Sequence, residues 1–193
     1  RKGAMRKVSL FRPGAIPDLQ GPVLGFDLDV VITGPLDDLL AHAPGTVAMR
    51  ADWVEARRGR PTGHGSVFRF DPARHPWLYE RLAADPAGEV ARARGSEQRY
   101  TSTLAQEMGA FAWLPPAQVV SFKHDCLDLP PLNWLRPARL PSDARVVCFH
   151  GRPKMHEAVA GWWGDPLRAC RPVPWLKEHW IDRARADLGA DWA

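Results

Sequence analysis

Several things are missing from this chain, and each absence removes a class of protein. Its 193 residues contain no stretch near the ~20 consecutive apolar residues that a membrane-crossing helix requires, so no span is expected. There are only three cysteines, Cys126, Cys148 and Cys170, widely scattered and odd in number. That argues against a disulfide framework and for a reducing, cytoplasmic setting. No dense basic run interleaves with aromatics, which argues against nucleic acid as a partner. Residues 1–13 are basic but lack an apolar core of signal-peptide length. There is no internal repeat and no low-complexity tract.

What is present describes a loop-rich globular chain. Hydrophobic residues make up 45% of it, too many for a disordered protein. Nineteen prolines and sixteen glycines imply short elements and many connections. The net charge of +4 and a pI near 9.3 suit an anionic ligand such as a nucleotide diphosphate and, by charge alone, nucleic acid equally. The chain does not begin with Met, so the reading expects a single domain over 1–193, trimmed at its front.

Apolar and polar patterning divides the chain into short strands and helices. Residues 7–11 read as the end of a helix broken at Pro13-Gly14. Residues 22–26, Pro-Val-Leu-Gly-Phe, read as a buried strand of the parallel type, and Val30-Val31-Ile32 as a second extended segment. A short helix is expected over 35–40 and a strand over 46–50. Residues 55–64 read as a surface loop and 65–70 as an alternating strand. Helices are expected over 75–84 and over 96–108, the latter capped by Ser96 and stopped by Gly109. Residues 119–122 and 145–149 read as strands, 130–141 as loop, and 175–188 as a last helix. Strands separated by helices predict an α/β fold with an open sheet.

Between the first two strand-like runs stands Asp27-Leu28-Asp29. Aspartates at i and i+2 on a strand end share one side of the pleat. Two carboxylates so close repel unless a cation lies between them. Their hard oxygens suit Mn²⁺ or Mg²⁺, which also bind diphosphate oxygens. Charges set between apolar segments are costly without a purpose, and ligands collect beyond strand carboxyl ends in open sheets. Asp-x-Asp alone also fits a turn cap or a surface ion pair.

Residues 21–40, Gly-Pro-Val-Leu-Gly-Phe-Asp-Leu-Asp-Val-Val-Ile-Thr-Gly-Pro-Leu-Asp-Asp-Leu-Leu, resemble the metal-site segment of GT-A type glycosyltransferases. The likeness is to glycogenin-like and lipopolysaccharide-type transferases and to bacterial relatives of them. Other segments fit in the same order. Residues 6–11 resemble the family's upstream segment, whose lysine near the donor sugar corresponds to Lys7. Gly65-Ser66-Val67 resembles a strand bordering the acceptor. Gly95-Ser96-Glu97-Gln98 resembles an Asp-Gln pair opening a helix, with Glu97 in place of the aspartate. Residues 147–154, Val-Cys-Phe-His-Gly-Arg-Pro-Lys, resemble the family's His-x-x-Gly-x-x-Lys segment.

The resemblance implies a GT-A, Rossmann-like open mixed sheet flanked by helices, without the strand–helix unit that in the family precedes Lys7. It implies transfer of a hexosyl unit from a nucleotide diphosphate sugar to an acceptor hydroxyl. Asp27, Asp29 and His150 would hold Mn²⁺ or Mg²⁺. Lys7, Asp27, Gly151, Arg152 and Lys154 would bind the donor, and Glu97 and Gln98 would orient the reacting sugar. The chain departs from the pattern at one ligand. The family histidine stands three residues before the glycine, where Cys148 lies here, while His150 directly precedes Gly151. A two-residue shift along a strand keeps the same face, and a soft thiolate suits two aspartates poorly.

Two rival readings remain open. Residues 26–33, Phe-Asp-Leu-Asp-Val-Val-Ile-Thr, also resemble the first motif of haloacid-dehalogenase-like phosphatases, but Val30 replaces the usual glycine and no later Gly-Asp-x-x-x-Asp follows. A non-catalytic domain that binds a sugar or a partner is the other. His64, His124 and His156 read as ordinary polar residues and Trp162-Trp163 as packing.

Overall fold

The structure, a computed structural model, describes residues 5–182. In chain order a 3₁₀ turn, Arg6–Phe11, precedes β1 (Val23–Phe26), β2 (Val30–Ile32), α1 (Asp37–Ala41) and β3 (Val47–Ala51). Then come α2 (Trp53–Arg57), β4 (Gly63–Phe70), α3 (Trp77–Ala84), α4 (Pro86–Arg92) and α5 (Glu97–Glu107). The chain continues through β5 (Phe111–Trp113), β6 (Val119–Ser121), a wide helical turn Phe122–Cys126, and α6 (Leu132–Leu135). It closes with β7 (Val146–Cys148), α7 (Met155–Ala160), α8 (Pro174–Leu176) and a second wide turn, Lys177–Asp182. Of the described residues, those up to Asp27 together with Leu36–Pro115 form one compact unit. Leu28–Pro35 together with those from Pro116 onward form another.

The first unit is built on a four-stranded mixed sheet in the order β1-β4-β3-β5. β4 runs antiparallel to both β1 and β3, while β3 and β5 are parallel. Its core gathers Val8, Phe11, Val47, Met49, Phe68, Phe70, Leu78, Tyr100 and Leu104. Fully burying one such side chain stabilises the fold by about 1.5–3 kcal/mol. Phe11 packs on Phe70 with ring centroids 4.6 Å apart, which fixes the 3₁₀ turn to the sheet. Gly25 allows β1 to lie on Phe68, whose ring carbon would stand 2.3 Å from a Cβ at that position.

β1 is an edge strand, antiparallel and half-buried throughout, where a buried parallel-type strand is expected from sequence. Short, uncharged runs read alike in either setting. β4 begins at Gly63, and both of its faces are buried, so the polar residues of its alternation are covered rather than solvated. Arg69 shows how: only 4% exposed, it donates to the carbonyls of Leu40 and Thr46, each at 3.0 Å. The expected loop over 55–64 holds most of α2, because Asp52 caps that helix by accepting from the amides of Val54 and Glu55. α4 was not expected. Asp85 caps it by accepting from Gly88 N–H at 2.9 Å, and Pro86 stands at its first turn. Ser96 caps α5 as the sequence predicts.

The second unit has a three-stranded sheet, β2-β7-β6. β2 is antiparallel to β7, and β6 is parallel to it, with Ser121 opposite Cys148. Its core contains Val31, Val120, Phe122, Val147, Phe149, Ala158, Cys170 and Leu176. Phe122 stacks on Phe149 at 4.5 Å. Cys126, Cys148 and Cys170 are buried and form no disulfide; burial raises the Cys126 thiol to about 12. Within the expected loop over 130–141, Leu132–Leu135 forms α6, anchored by Asn133, whose amide donates to the carbonyls of Pro166 and Ala169. The expected last helix appears as α8 and the wide turn after it, and its remainder lies outside the described residues.

His75 is 1% exposed. Its Nδ1 accepts from Asp71 N–H at 3.0 Å, so Nε2 carries the proton and donates to the Gly45 carbonyl at 3.1 Å. The ring is therefore neutral, and burial holds its pKa below 6.5. A histidine with a depressed folded pKa contributes stability that is present above its unfolded pKa and lost as pH falls through the folded value. The urea midpoint should drop between about pH 7.5 and about pH 5.5, a window spanning the ~6.5 of unperturbed histidine. His75→Gln should flatten that drop, and an equal drop in the variant would contradict the assignment.

Candidate functional site

The backbone leaves the β1 ladder with one last bond, Asp27 N–H to the Ser66 carbonyl at 2.9 Å. Leu28 and Asp29 then form a turn before β2. The pleat therefore ends at Phe26, and what places the two carboxylates is the turn together with the partner each one has in its own unit. Leu28 between them is 99% exposed.

In the first unit, Asp27 forms an ion pair with Lys7, the two side chains being about one third exposed. The same ammonium donates to the Gly65 carbonyl at 2.9 Å. Gln98, at the start of α5, accepts from Gly65 N–H at 3.1 Å through its side-chain oxygen. Glu97 accepts from the Thr101 hydroxyl at 3.1 Å. A Cβ on Gly65 would stand 3.4 Å from a Glu97 oxygen, 3.5 Å from Lys7 Nζ and 3.6 Å from Gln98 Cβ. The start of β4 and the start of α5 thus bring together four residues that the sequence assigns to one site: Lys7, Asp27, Glu97 and Gln98.

Burial raises the pKa of Glu97; Lys7 and the Thr101 hydroxyl pull it down, and the Asp27 charge pushes it up again. A carboxyl of this kind, beside a lysine and an amide, can hold or orient a hydroxyl group.

In the second unit, Asp29 Oδ2 receives a hydrogen bond from Lys154 Nζ at 3.1 Å. Lys154 opens α7, and its own N–H donates to Glu157 at 2.7 Å. β7 delivers the preceding residues. Phe149 N–H donates to the Asp29 carbonyl at 2.8 Å, extending the β2–β7 ladder by one bond. His150 Nε2 is 2.8 Å from Ser121 Oγ, and its ring lies 5.6 Å from that of His124. Gly151 has φ +86° and is exposed. Arg152 pairs with Glu157 at 2.9 Å, so its charge is partly committed.

Sequence reasoning missed two residues here. Ser121 holds the histidine. Lys123 stands beside the glycine, its Nζ 3.5 Å from where a Gly151 Cβ would be. Both follow from parallel pairing: β6 and β7 end level with each other, so the residues just past each strand emerge at one edge.

The donor set can be tested against a hard divalent ion. Each aspartate gives one oxygen to a lysine, and the other, Asp27 Oδ2 or Asp29 Oδ1, makes no hydrogen bond among the described residues. Such oxygens suit Mn²⁺ or Mg²⁺. Among the described residues, however, no group of three or more His, Cys, Asp and Glu side chains stands together as a ligand set. His150 Nε2 would have to exchange the Ser121 hydroxyl for an ion. Each carboxylate has the donor chemistry for such an ion, while His150 Nε2 is engaged by Ser121.

Solved structures that resemble the chain include two of one enzyme. One is the galactosyltransferase LgtC in complex with donor and acceptor sugar analogs, at TM-score 0.55 and 14% identity, over 95% of this chain and 65% of the other. The second is an active-site mutant of LgtC, at TM-score 0.54 and 14% identity, over 83% of this chain and 62% of the other. The chain spans less than two thirds of the length of either. No protein-family profile and no curated protein sequence matches it. The likeness shows the fold: mixed sheets flanked by helices, similar to the GT-A fold of that glycosyltransferase.

Lys7→Met should raise the Glu97 pKa further, since it removes the cation that lowers it. A ¹³C titration of the Glu97 carboxyl measures this, and an unchanged or lowered value would contradict the arrangement.

Proposed function

We propose that the chain is the donor-binding part of a glycosyltransferase that moves a hexosyl unit from a nucleotide diphosphate sugar to an acceptor hydroxyl. The observation that carries this reading is the pairing of each Asp-Leu-Asp carboxylate with a lysine of its own unit, Asp27 with Lys7 and Asp29 with Lys154. The fold's likeness to a galactosyltransferase supports it.

A metal–diphosphate ligand needs anions to hold the cation and cations to hold the phosphates. An aspartate–lysine pair presents both charges within a few ångströms. The covalent chain keeps Asp27 and Asp29 two residues apart, and they are the residues that would hold Mn²⁺ or Mg²⁺, with His150 as the third ligand. When bound, the ion supplies positive charge against the diphosphate as it leaves.

The chain's own groups do the rest of the binding. Lys154 would turn from Asp29 to a phosphate oxygen as a mobile point charge, and Lys123 would add a second. Gly151 would let the backbone approach the diphosphate closely, because it has no side chain in the way. Arg152, already bound to Glu157, would reach the same oxygens from the rim. On the sugar side, Lys7 would lie near the donor hexose. The Gln98 carbonyl is taken by Gly65 N–H, which leaves its NH₂ to donate to a sugar hydroxyl. Glu97 would accept from or orient the hydroxyl that reacts.

Calorimetric titration with a nucleoside diphosphate tests the reading. Binding should require Mn²⁺ and disappear with chelator. Asp29→Asn should lose the Mn²⁺-dependent binding, and wild-type behaviour in that variant would remove the residue from the site. Lys154→Ala should weaken binding about tenfold, the size of one charge-assisted hydrogen bond. Unchanged affinity would exclude it.

A further inference from the structure

The first unit carries a second concentration of positive charge that the proposed transfer reaction does not use. A pocket of about 190 Å³ lies where α4 gives way to α5, lined by Arg92, Ala93, Arg94, Arg99, Tyr100 and Thr103. Three of those six residues are arginines. Arg92 is matched: its guanidinium contacts Glu107 at 2.7 Å and Glu89 at 2.8 Å. Arg94 and Arg99 are not, and neither side chain forms an ion pair or hydrogen bond among the described residues.

Both unmatched arginines stand where their placement is unfavourable. Arg94 has φ +52°, a left-handed conformation that side chains other than glycine adopt at a cost. Arg99 is the third residue of the eleven-residue α5, in the first turn, where the helix dipole is already positive and disfavours a cation. Like charges gathered in one concavity against the dipole are relieved by an anion placed among them. The two forks and the Thr103 hydroxyl supply donors for oxyanion oxygens, and the buried Tyr100 ring supplies the wall. The hydroxyl of that tyrosine is already given to the Leu78 carbonyl at 2.7 Å, so it fixes the pocket and does not compete for the ligand.

We propose that this pocket is a phosphate-binding site, in which Arg94 and Arg99 clamp a single phosphoryl group. The pocket is smaller than the roughly 300–1,000 Å³ of sites that enclose whole drug-sized ligands. It therefore suits one phosphate substituent of a larger molecule, with the remainder lying outside. Every residue of the site belongs to the first unit, and the site stands or falls independently of Asp27, Asp29 and the metal.

Titrating the whole chain with inorganic phosphate at constant ionic strength, with the arginine Nε–H signals followed by NMR, tests this. Saturable shifts are expected at Arg94 and Arg99. Arg99→Ala should weaken binding about tenfold. Arg94→Lys, which keeps the charge and loses the fork, should weaken it less than Arg94→Ala. Lys154→Ala should leave the affinity unchanged. Shifts that never saturate, acetate binding as tightly as phosphate, or loss of binding in Lys154→Ala with both arginine variants unaffected would each overturn the proposal. Amide spectra that match the wild type establish that each variant is folded.

Discussion

Each carboxylate of Asp27-Leu28-Asp29 has a lysine, and much of the local architecture serves to bring that lysine in. In the first unit the 3₁₀ turn Arg6–Phe11 docks through Phe11 on Phe70, and this sets Lys7 on Asp27 and on the Gly65 carbonyl. In the second, β7 carries the chain past His150 to the start of α7, and Lys154 there meets Asp29. Without these lysines, two anions about one third exposed would stand unpaired two residues apart in the chain. Ion pairs this exposed add little stability. Their consequence is electrostatic: in each unit a carboxylate and an ammonium are held together, and in the proposed function a cation and a diphosphate would take over those contacts.

Glycine and small polar residues make the approach possible on either side. Gly65 is bounded by Lys7, Glu97 and Gln98, which would stand in van der Waals contact, 3.4–3.6 Å, with a Cβ there. Gly151 takes a positive φ where the chain turns from β7 toward α7. Glu97 responds to this crowding, since burial holds its proton more tightly while Lys7 opposes that. The fold has the same general form as a galactosyltransferase at 14% identity, so these local contacts carry what is particular to this sequence.

Much of this was legible from the sequence, for identifiable reasons. Asp27-Leu28-Asp29 stood out because charge between apolar runs is costly. Lys7, Glu97 and Gln98 were singled out by the resemblance of their segments to a known family, and the structure gathers them around Gly65. Ser96 and Gly109 bound α5 because capping chemistry is local. The misses have physical causes too. β1 reads the same as an antiparallel edge or a buried parallel strand, because pairing direction leaves no mark on four residues. α2 and α4 depend on Asp52 and Asp85 as caps, signals easily lost among neighbouring Pro, Gly and Arg. Ser121 and Lys123 matter through the level ends of β6 and β7, a long-range fact that spacing does not encode.

The central claim is that Asp27 and Asp29 share one divalent cation. Crystals grown with Mn²⁺ and a nucleoside diphosphate, with diffraction recorded at the manganese edge, examine it directly. The account predicts one anomalous peak at about 2.0–2.2 Å, the metal–oxygen distance of small hard cations, from an oxygen of each aspartate, with the diphosphate against it. A peak bound by only one of the two carboxylates, or a diphosphate bound elsewhere with no manganese at Asp-Leu-Asp, would contradict it.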